Sequence, residues 1–291
     1  MNPIFKKLLE RLRKANQKSK EKMASIYGFT SVEDFEKYLT ADPASNPPKV
    51  EETSTDMVIA FDTTGSMRSY IGAVRRHVEE TIRGLFTNTP NLKLKIVAFG
   101  DYCDMTSKGK FGKAYQETEL TDDKDLLVNF VKKAQDTSGG DSEEFYELVL
   151  HKILGETNWR EGSNKAILLI ADDKPHEPGY KYEKFVEQQI DWRDEARKAA
   201  KLGVRIDTLR IQPHITWYET LSKITNGTCM NFRSSEKTQD LVKGSTYLNS
   251  RSEKGIAATK VMYAKAKADG DTELVGAYKG MAADRGINLD E

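Results

Sequence analysis

The sequence has few cysteines and no long apolar run. Only two of its 291 residues are cysteine, Cys103 and Cys229, which excludes a disulfide framework and favours a reducing compartment. No stretch of about 18 apolar residues occurs, so the sequence predicts no transmembrane helix. The N-terminus is basic and lacks the apolar core and small-residue cleavage site of a signal peptide. We therefore expect a soluble, cytoplasmic protein.

An excess of charge of one sign is also absent. The chain has 45 Lys and Arg against 45 Asp and Glu, so no overall field attracts it to nucleic acid or acidic lipid. At this length it can hold one large domain with extensions on either side.

The two ends of the chain differ from its middle. Residues 1–40 are predicted to form a basic, amphipathic helical arm, and within it residues 3–25 place leucines at helical spacing among lysines and arginines. This helix could contact a membrane or nucleic acid, but we favour docking of its apolar stripe on protein. Residues 41–55 are predicted to be a linker because they are rich in Pro, Ser, Thr and Glu. Residues 236–291 are predicted to be a helical C-terminal extension.

The middle of the chain, 56–235, alternates predicted strands and helices, and the predicted helices include Ser142–Gly155 and Tyr182–Leu202. Continuous apolar strands such as Ala166–Ala171 are typical of a parallel sheet covered by helices on both faces. We therefore predict an α/β fold with a doubly wound, mostly parallel sheet of the Rossmann-like kind. Binding sites in such sheets form at the carboxyl ends of the strands.

The first predicted strand ends in oxygen-bearing side chains. Asp62, Thr64 and Ser66 follow the apolar run Met57–Phe61 within five residues. Hard cations such as Mg²⁺ bind oxygen ligands of this type. The alternative is a strand end followed by a helix that Ser66 caps.

Polar clusters also follow other segments of the predicted domain. They are Gly100–Asp104, the stretch Ser138–Glu144 with its Gly139-Gly140-Asp141, and Asp172–His176. Each cluster alone is common in turns and at the ends of strands, but their joint occurrence on one edge of a single predicted sheet favours the cation site.

These residues resemble the von Willebrand factor type A domain with its metal-ion-dependent adhesion site. The family motif Asp-x-Ser/Thr-x-Ser is matched by Asp62, Thr64 and Ser66. Asp141 stands where the family usually has Thr. Asp172 matches the Asp that ends the fourth strand of the family. Phe99–Asp104, Gly139–Asp141 and Asp172–His176 are most similar to the subgroup associated with alpha-kinases. The resemblance covers about residues 56–235, and we expect no kinase domain in the chain.

The resemblance implies a bound Mg²⁺, with Mn²⁺ or Ca²⁺ as alternatives, and a protein partner. The implied metal ligands are Asp62, Thr64, Ser66, Asp141 and Asp172, and the implied rim of the site is Asp101, Ser142, Asp173 and His176. The family's usual partner supplies an acidic residue to the ion, although a carboxylate at Asp141 would weaken the pull on such a group. We therefore expect a metal-dependent protein–protein interaction module that acts inside the cell and is not an enzyme.

Two alternatives stay open at the level of sequence. The segment around Asp62 also resembles the aspartyl-phosphate loop of haloacid-dehalogenase-type phosphotransferases, with Asp62 as nucleophile and Lys174 as phosphate clamp. However, Thr64 stands where hydrolases of that type have a second carboxylate. The other alternative is a structural component of a larger complex or virion, with a secondary metal site, because the helical ends exceed what the domain needs.

Overall fold

A computed structural model describes residues 12–26, 31–33, 36, 54–107, 110–183, 186–231 and 234–290. The chain divides into two compact units, Met1–Glu52 and Thr53–Glu291. The first contains helix α1, Gln17–Ile26. Much of the predicted arm, and residues 41–53 of the predicted linker, lie outside the described residues. No helix among the described residues is both long and apolar enough to cross a membrane.

A six-stranded sheet forms the centre of the second unit. Its strands are β1 (Thr55–Asp62), β2 (Leu92–Phe99), β3 (Tyr115–Glu117), β5 (Asn164–Ala171), β9 (Val204–Arg210) and β10 (Cys229–Asn231). They lie in the order β10-β9-β5-β1-β2-β3. Every pairing is parallel except that of β3 with β2. The predicted α/β fold with a mostly parallel sheet is confirmed.

Helices cover both faces of this sheet. Side chains alternate along β1, so that Met57, Ile59 and Phe61 enter one apolar core while Val58 and Ala60 enter the other. The first core is covered by α2 (Arg68–Asn88), α3 (Lys124–Lys133), α7 (Thr238–Ser250), α8 (Glu253–Ala268) and α9 (Thr272–Ala283). The second is covered by α4 (Tyr146–Glu156), α5 (Trp192–Lys201) and α6 (Trp217–Ile224).

Short strands replace two segments that the sequence pattern predicts as helix. Helix α4 was expected from residue 142, but β4 (Glu143–Glu144) precedes it and pairs in parallel with β6 (Lys174–Pro175). Helix α5 was expected from residue 182, but β7 (Lys181–Tyr182) and β8 (Val186–Glu187) form an antiparallel pair there. Helix α5 instead begins after Asp191, whose carboxylate accepts a hydrogen bond from the amide of Arg193.

The helices after residue 236 complete the first apolar core. Their contact with the sheet includes a buried ion pair, in which the Arg285 guanidinium lies 2.5 Å from the Asp207 carboxylate of β9. Asp207 also accepts hydrogen bonds from the Ser245 hydroxyl at 2.6 Å and from the Asn249 amide at 2.8 Å. These contacts join the sheet, α7 and the segment after α9 into one structure.

Candidate metal centre

The carboxyl end of β1 places Asp62 in the interior of the protein. Its side chain is buried, with Oδ1 accepting a hydrogen bond from the Thr64 amide and Oδ2 accepting one from the Tyr146 hydroxyl, both at 2.7 Å. The Thr64 and Ser66 hydroxyl oxygens lie 3.4 Å apart. Thr64 is buried and Ser66 is exposed, so the two hydroxyls lead from Asp62 towards solvent.

Asp172 follows β5, the neighbour of β1, and reaches the same place. Asp172 is buried, which raises its pKa, and a hydrogen bond from the Ser66 side chain partly offsets that rise. Burial, and in addition the negative charge of Asp172, raise the pKa of Asp62. The structure thus brings together four of the predicted ligands, Asp62, Thr64, Ser66 and Asp172.

Glu144 is a member of this group that the sequence pattern did not indicate. The β4–β6 pairing draws it inwards, leaving only 5% of the residue exposed. A Cβ atom on Gly139 would lie 3.0 Å from the Glu144 Oε1 and 3.4 Å from the Thr64 Cγ2, so Glu144 and Thr64 border the same glycine. Among the described residues, the Glu144 Oε2 has no hydrogen-bond partner.

The pKa values of the three carboxyl groups are all raised. Burial raises the pKa of Asp62 to about 7 and that of Glu144 to about 11. The charges of Asp62, Asp101 and Asp172 raise the pKa of Glu144 further. Burial also raises the pKa of Asp172. Carboxylates crowded in this way are stabilised in their ionised form by a bound cation.

The residues present fit a hard divalent cation. The group offers carboxylate and hydroxyl oxygens, which Mg²⁺ and Ca²⁺ prefer, and it includes neither a thiol nor an imidazole. The unpartnered oxygen of Glu144 is a buried acceptor that such an ion would satisfy.

Hydrogen bonds hold the glycine-containing loop beside the carboxyl end of β1. The Asp104 carboxylate accepts hydrogen bonds from the amides of Ser138 at 2.9 Å and Gly139 at 3.2 Å. The Thr137 amide donates to the Thr63 carbonyl at 3.0 Å. Gly139 has a φ of +68°, which favours glycine, so the tight turn beside Thr64 depends on this residue.

Asp141 lies in a second group with Asp101 and His176. One ligand atom from each of these residues lies within 4.8 Å of the others. The exposed Asp141 accepts hydrogen bonds from the Tyr180 hydroxyl and the Glu143 amide, each at 3.0 Å. No hydrogen bond links it to Asp62, Thr64 or Ser66, all of which the structure describes.

The remaining predicted rim residues occupy different environments. His176 is buried, its Nε2 lies 2.8 Å from the Asp101 Oδ1, and its ring stacks on Tyr180. Burial lowers the pKa of His176, but the hydrogen bond to Asp101 and the nearby acidic charges raise it overall. Ser142 is exposed and Asp173 partly exposed, and burial raises the pKa of Asp173.

Sequence reasoning missed Glu144 and Tyr146 for a structural reason. Both lie in a segment predicted as the first turns of one helix, where acidic residues are common. The signal available in the sequence was the aromatic pair Phe145-Tyr146 directly after two glutamates, which indicates a segment that enters the core. Both aromatic residues are fully buried.

Comparisons with known proteins agree with the architecture. The family model of the von Willebrand factor type A domain matches residues 56–244. The chain therefore belongs to the von Willebrand factor type A domain family.

Solved structures with the same fold are distant in sequence. One is the pilus adhesin SpaC from Lactobacillus rhamnosus GG, at 15% identity and a TM-score of 0.52, with 68% of this chain and 31% of that chain covered. Another is a von Willebrand factor type A protein from Catenulispora acidiphila, at 13% identity and a TM-score of 0.50, with coverages of 68% and 43%. This chain therefore spans less than half the length of either relative. A search among curated proteins finds no significant match.

Proposed function

We propose that this protein is a metal-dependent protein-interaction module that binds Mg²⁺ in a site of the adhesion type. The proposed ligands, directly or through water, are Asp62, Thr64, Ser66, Glu144 and Asp172. The observation that carries the proposal is the buried, unpartnered oxygen of Glu144 beside two further buried carboxyl groups. Mn²⁺ or Ca²⁺ would suit the same oxygen ligands.

Each side chain has a physical task in this proposal. The hydroxyls of Thr64 and Ser66 offer neutral oxygen ligands near the surface. Asp62 is oriented by the Tyr146 hydroxyl, an outer contact of the kind that fixes metal ligands in place. The ion itself would supply a positive charge and open coordination positions for a partner or water.

We further propose that the interaction takes place in the cytoplasm. Cys103 and Cys229 are both free, and burial raises the pKa of the Cys103 thiol to about 12, which is consistent with an unreactive thiol in the cytoplasm. The segments Phe99–Asp104, Gly139–Asp141 and Asp172–His176 support kinship with the subgroup associated with alpha-kinases.

The arrangement does not favour the phosphotransferase alternative. Both oxygens of Asp62 are hydrogen-bonded and the side chain is buried, whereas a nucleophile must reach its substrate. The Lys174 ammonium lies 2.9 Å from the Glu143 carboxylate, so its charge is already paired at the rim.

Partner capture distinguishes the proposed interaction module from an assembly component with a secondary site. We expect the 291-residue chain to retain specific partners from cell extract in Mg²⁺, and to lose them in EDTA or with Asp62→Ala. Glu161→Ala, at an exposed residue just before β5, is the control and should behave as wild type. Retention unchanged by EDTA and by Asp62→Ala would leave the assembly role as the better account.

The pH dependence of stability offers a test that needs no partner. Because the pKa of Asp62 and Glu144 is raised in the folded state, the metal-free protein binds more protons folded than unfolded. Its stability should therefore fall as pH rises from about 4.5 through 7 and beyond. Denaturant unfolding at pH 6 and pH 8 in EDTA measures this loss, and saturating Mg²⁺ should remove it. Equal stability at both pH values in EDTA would contradict the described environment.

Removing the outer contact to Asp62 should weaken metal binding without abolishing it. Tyr146→Phe deletes the hydroxyl that donates to the Asp62 Oδ2 while keeping the aromatic packing against Trp217. We expect a loss of about 10–100-fold in Mg²⁺ affinity by titration calorimetry. Tyr115→Phe removes a hydroxyl that bonds Glu117 instead and should not change the affinity.

A further inference from the structure

His176 lies in the interior of the protein with a carboxylate at each of its two ring nitrogens. The residue is fully buried. Its Nε2 lies 2.8 Å from the Asp101 Oδ1, and its Nδ1 lies 3.4 Å from the Glu143 Oε2. The first contact has the length of a good hydrogen bond, so we assign the ring proton to Nε2, which donates to Asp101. A neutral imidazole carries only one N–H, and Nδ1 is then an acceptor that faces a second acceptor.

The Nδ1 atom of His176 is an unsatisfied buried acceptor. Among the described residues it has no hydrogen-bond partner. Its separation of 3.4 Å from the Glu143 Oε2 is long for a hydrogen bond. Two ligands of one tetrahedral zinc ion, each bound at about 2.0–2.1 Å, lie about 3.3 Å apart, which is close to this separation. The Lys174 ammonium pairs with the other oxygen of Glu143, Oε1, at 2.9 Å, and leaves Oε2 beside the ring.

Asp141 adds a carboxylate on the solvent side of this group. One ligand atom from each of Asp101, Asp141 and His176 lies within 4.8 Å of the others. Asp141 is exposed, so an ion could reach the group from solvent. The Glu143 amide and the Tyr180 hydroxyl each donate a hydrogen bond to the Asp141 carboxylate at 3.0 Å. Outer contacts of this kind hold a ligand in a fixed orientation.

We propose that His176, Asp141 and Glu143 form a second metal site, which binds Zn²⁺ or a similar first-row transition-metal dication. Asp101 is its positioning residue, because a metal-binding histidine almost always donates its other ring N–H to a neighbouring acceptor such as a carboxylate. The ring nitrogen separates this site from the proposed Mg²⁺ site, whose ligands are all oxygen atoms, since imidazole suits zinc and related transition metals. Three protein ligands leave one position of a tetrahedral ion open. This inference goes beyond the proposed function and does not depend on it.

Zinc titration of the untagged 291-residue chain in millimolar Mg²⁺ tests the second site. Competition with a chromogenic zinc chelator gives the affinity, and elemental analysis after dialysis gives the stoichiometry. We expect one Zn²⁺ bound per chain. The affinity should fall by at least about 100-fold in His176→Gln, because the loss of a ligand should cost more than the loss of an outer contact. Asp62→Ala should keep zinc binding, since Asp62 belongs to the other site.

Two further variants decide the question even where the buried substitution at His176 prevents folding. Asp141→Ala changes an exposed residue and should weaken Zn²⁺ binding by at least about tenfold. His151→Gln is the matched control. The His151 Nδ1 also lies 2.8 Å from a carboxylate, that of Glu195, but its side chain is 51% exposed. This variant should bind Zn²⁺ as wild type does.

Each contrary result is distinct. Equal zinc affinity in wild type, His176→Gln and Asp141→Ala would overturn the second site. Absence of saturable Zn²⁺ binding would refute it as well, and would leave His176 as a charged partner of Asp101 and Glu143. Zinc binding that is lost in Asp62→Ala but kept in Asp141→Ala would assign the ion to the proposed Mg²⁺ site and contradict a second one. Mg²⁺ binding is measured separately, so a failure here differs from a failure of the proposed function.

Discussion

Replacing Arg285 with Met is expected to destabilise the protein by about 3–5 kcal/mol, because it leaves the Asp207 carboxylate buried without its partner. Both side chains of this ion pair are fully buried. Burial alone would raise the pKa of Asp207, but the Arg285 charge and hydrogen bonds from Ser245 and Thr228 hold it below its usual value. The pair's contribution to stability should thus be present near neutral pH and be lost as pH falls through that lowered pKa.

Urea unfolding of Arg285→Met against Arg197→Met measures this difference. Arg197 lies 2.5 Å from the Asp194 carboxylate, the same separation as in the Arg285–Asp207 pair, but its side chain is 57% exposed. An exposed pair contributes about 0–1 kcal/mol. Equal losses in the two variants would show that the segment after α9 is not part of the folding core.

Replacing Glu144 with Gln is expected to have opposite effects with and without metal. In EDTA at pH 8 the variant should be more stable than wild type by at least about 1.4 kcal/mol, the free energy of one pKa unit. The reason is that burial penalises the charged carboxylate of Glu144, whereas a Gln side chain is uncharged. In Mg²⁺ it should lose more than about 100-fold in affinity, since the loss of a proposed ligand should cost more than the loss of an outer contact.

Thermal unfolding in EDTA and in Mg²⁺ measures both effects of Glu144→Gln. The matched control is Glu147→Gln, because Glu147 is also buried and burial also raises its pKa, to about 8. Its carboxylate bonds the Tyr102 hydroxyl at 2.8 Å, outside the proposed ligand group. Glu147→Gln should therefore keep the stabilisation by Mg²⁺. Loss of that stabilisation in both variants would contradict a specific role for Glu144.

The sequence was sufficient to predict the sheet and one end of the site. Continuous apolar strands such as Ala166–Ala171 are typical of a parallel sheet covered by helices on both faces, so the fold class followed from the pattern. The grouping of Asp62 with Asp172 followed as well, because parallel strands end at one edge.

The remaining part of the site depends on contacts that local pattern does not encode. Glu144 enters the site because its two-residue strand pairs with Lys174–Pro175, which lies 31 residues further along the chain. Helical propensity favoured a different structure there, and tertiary pairing prevailed. Asp141 could be aligned with a family position, but its side chain is held by Tyr180 in a neighbouring group.

Binding of Mg²⁺ to the 291-residue chain, measured by titration calorimetry in two buffers of different ionisation enthalpy, tests the central claim most directly. Wild type should bind at a single saturable class of site and release protons, since raised carboxyl pKa values mean that ligands must deprotonate. Asp62→Ala should abolish that binding. No binding by wild type at millimolar Mg²⁺, or equal binding by Asp62→Ala, would contradict the metal centre proposed for this protein.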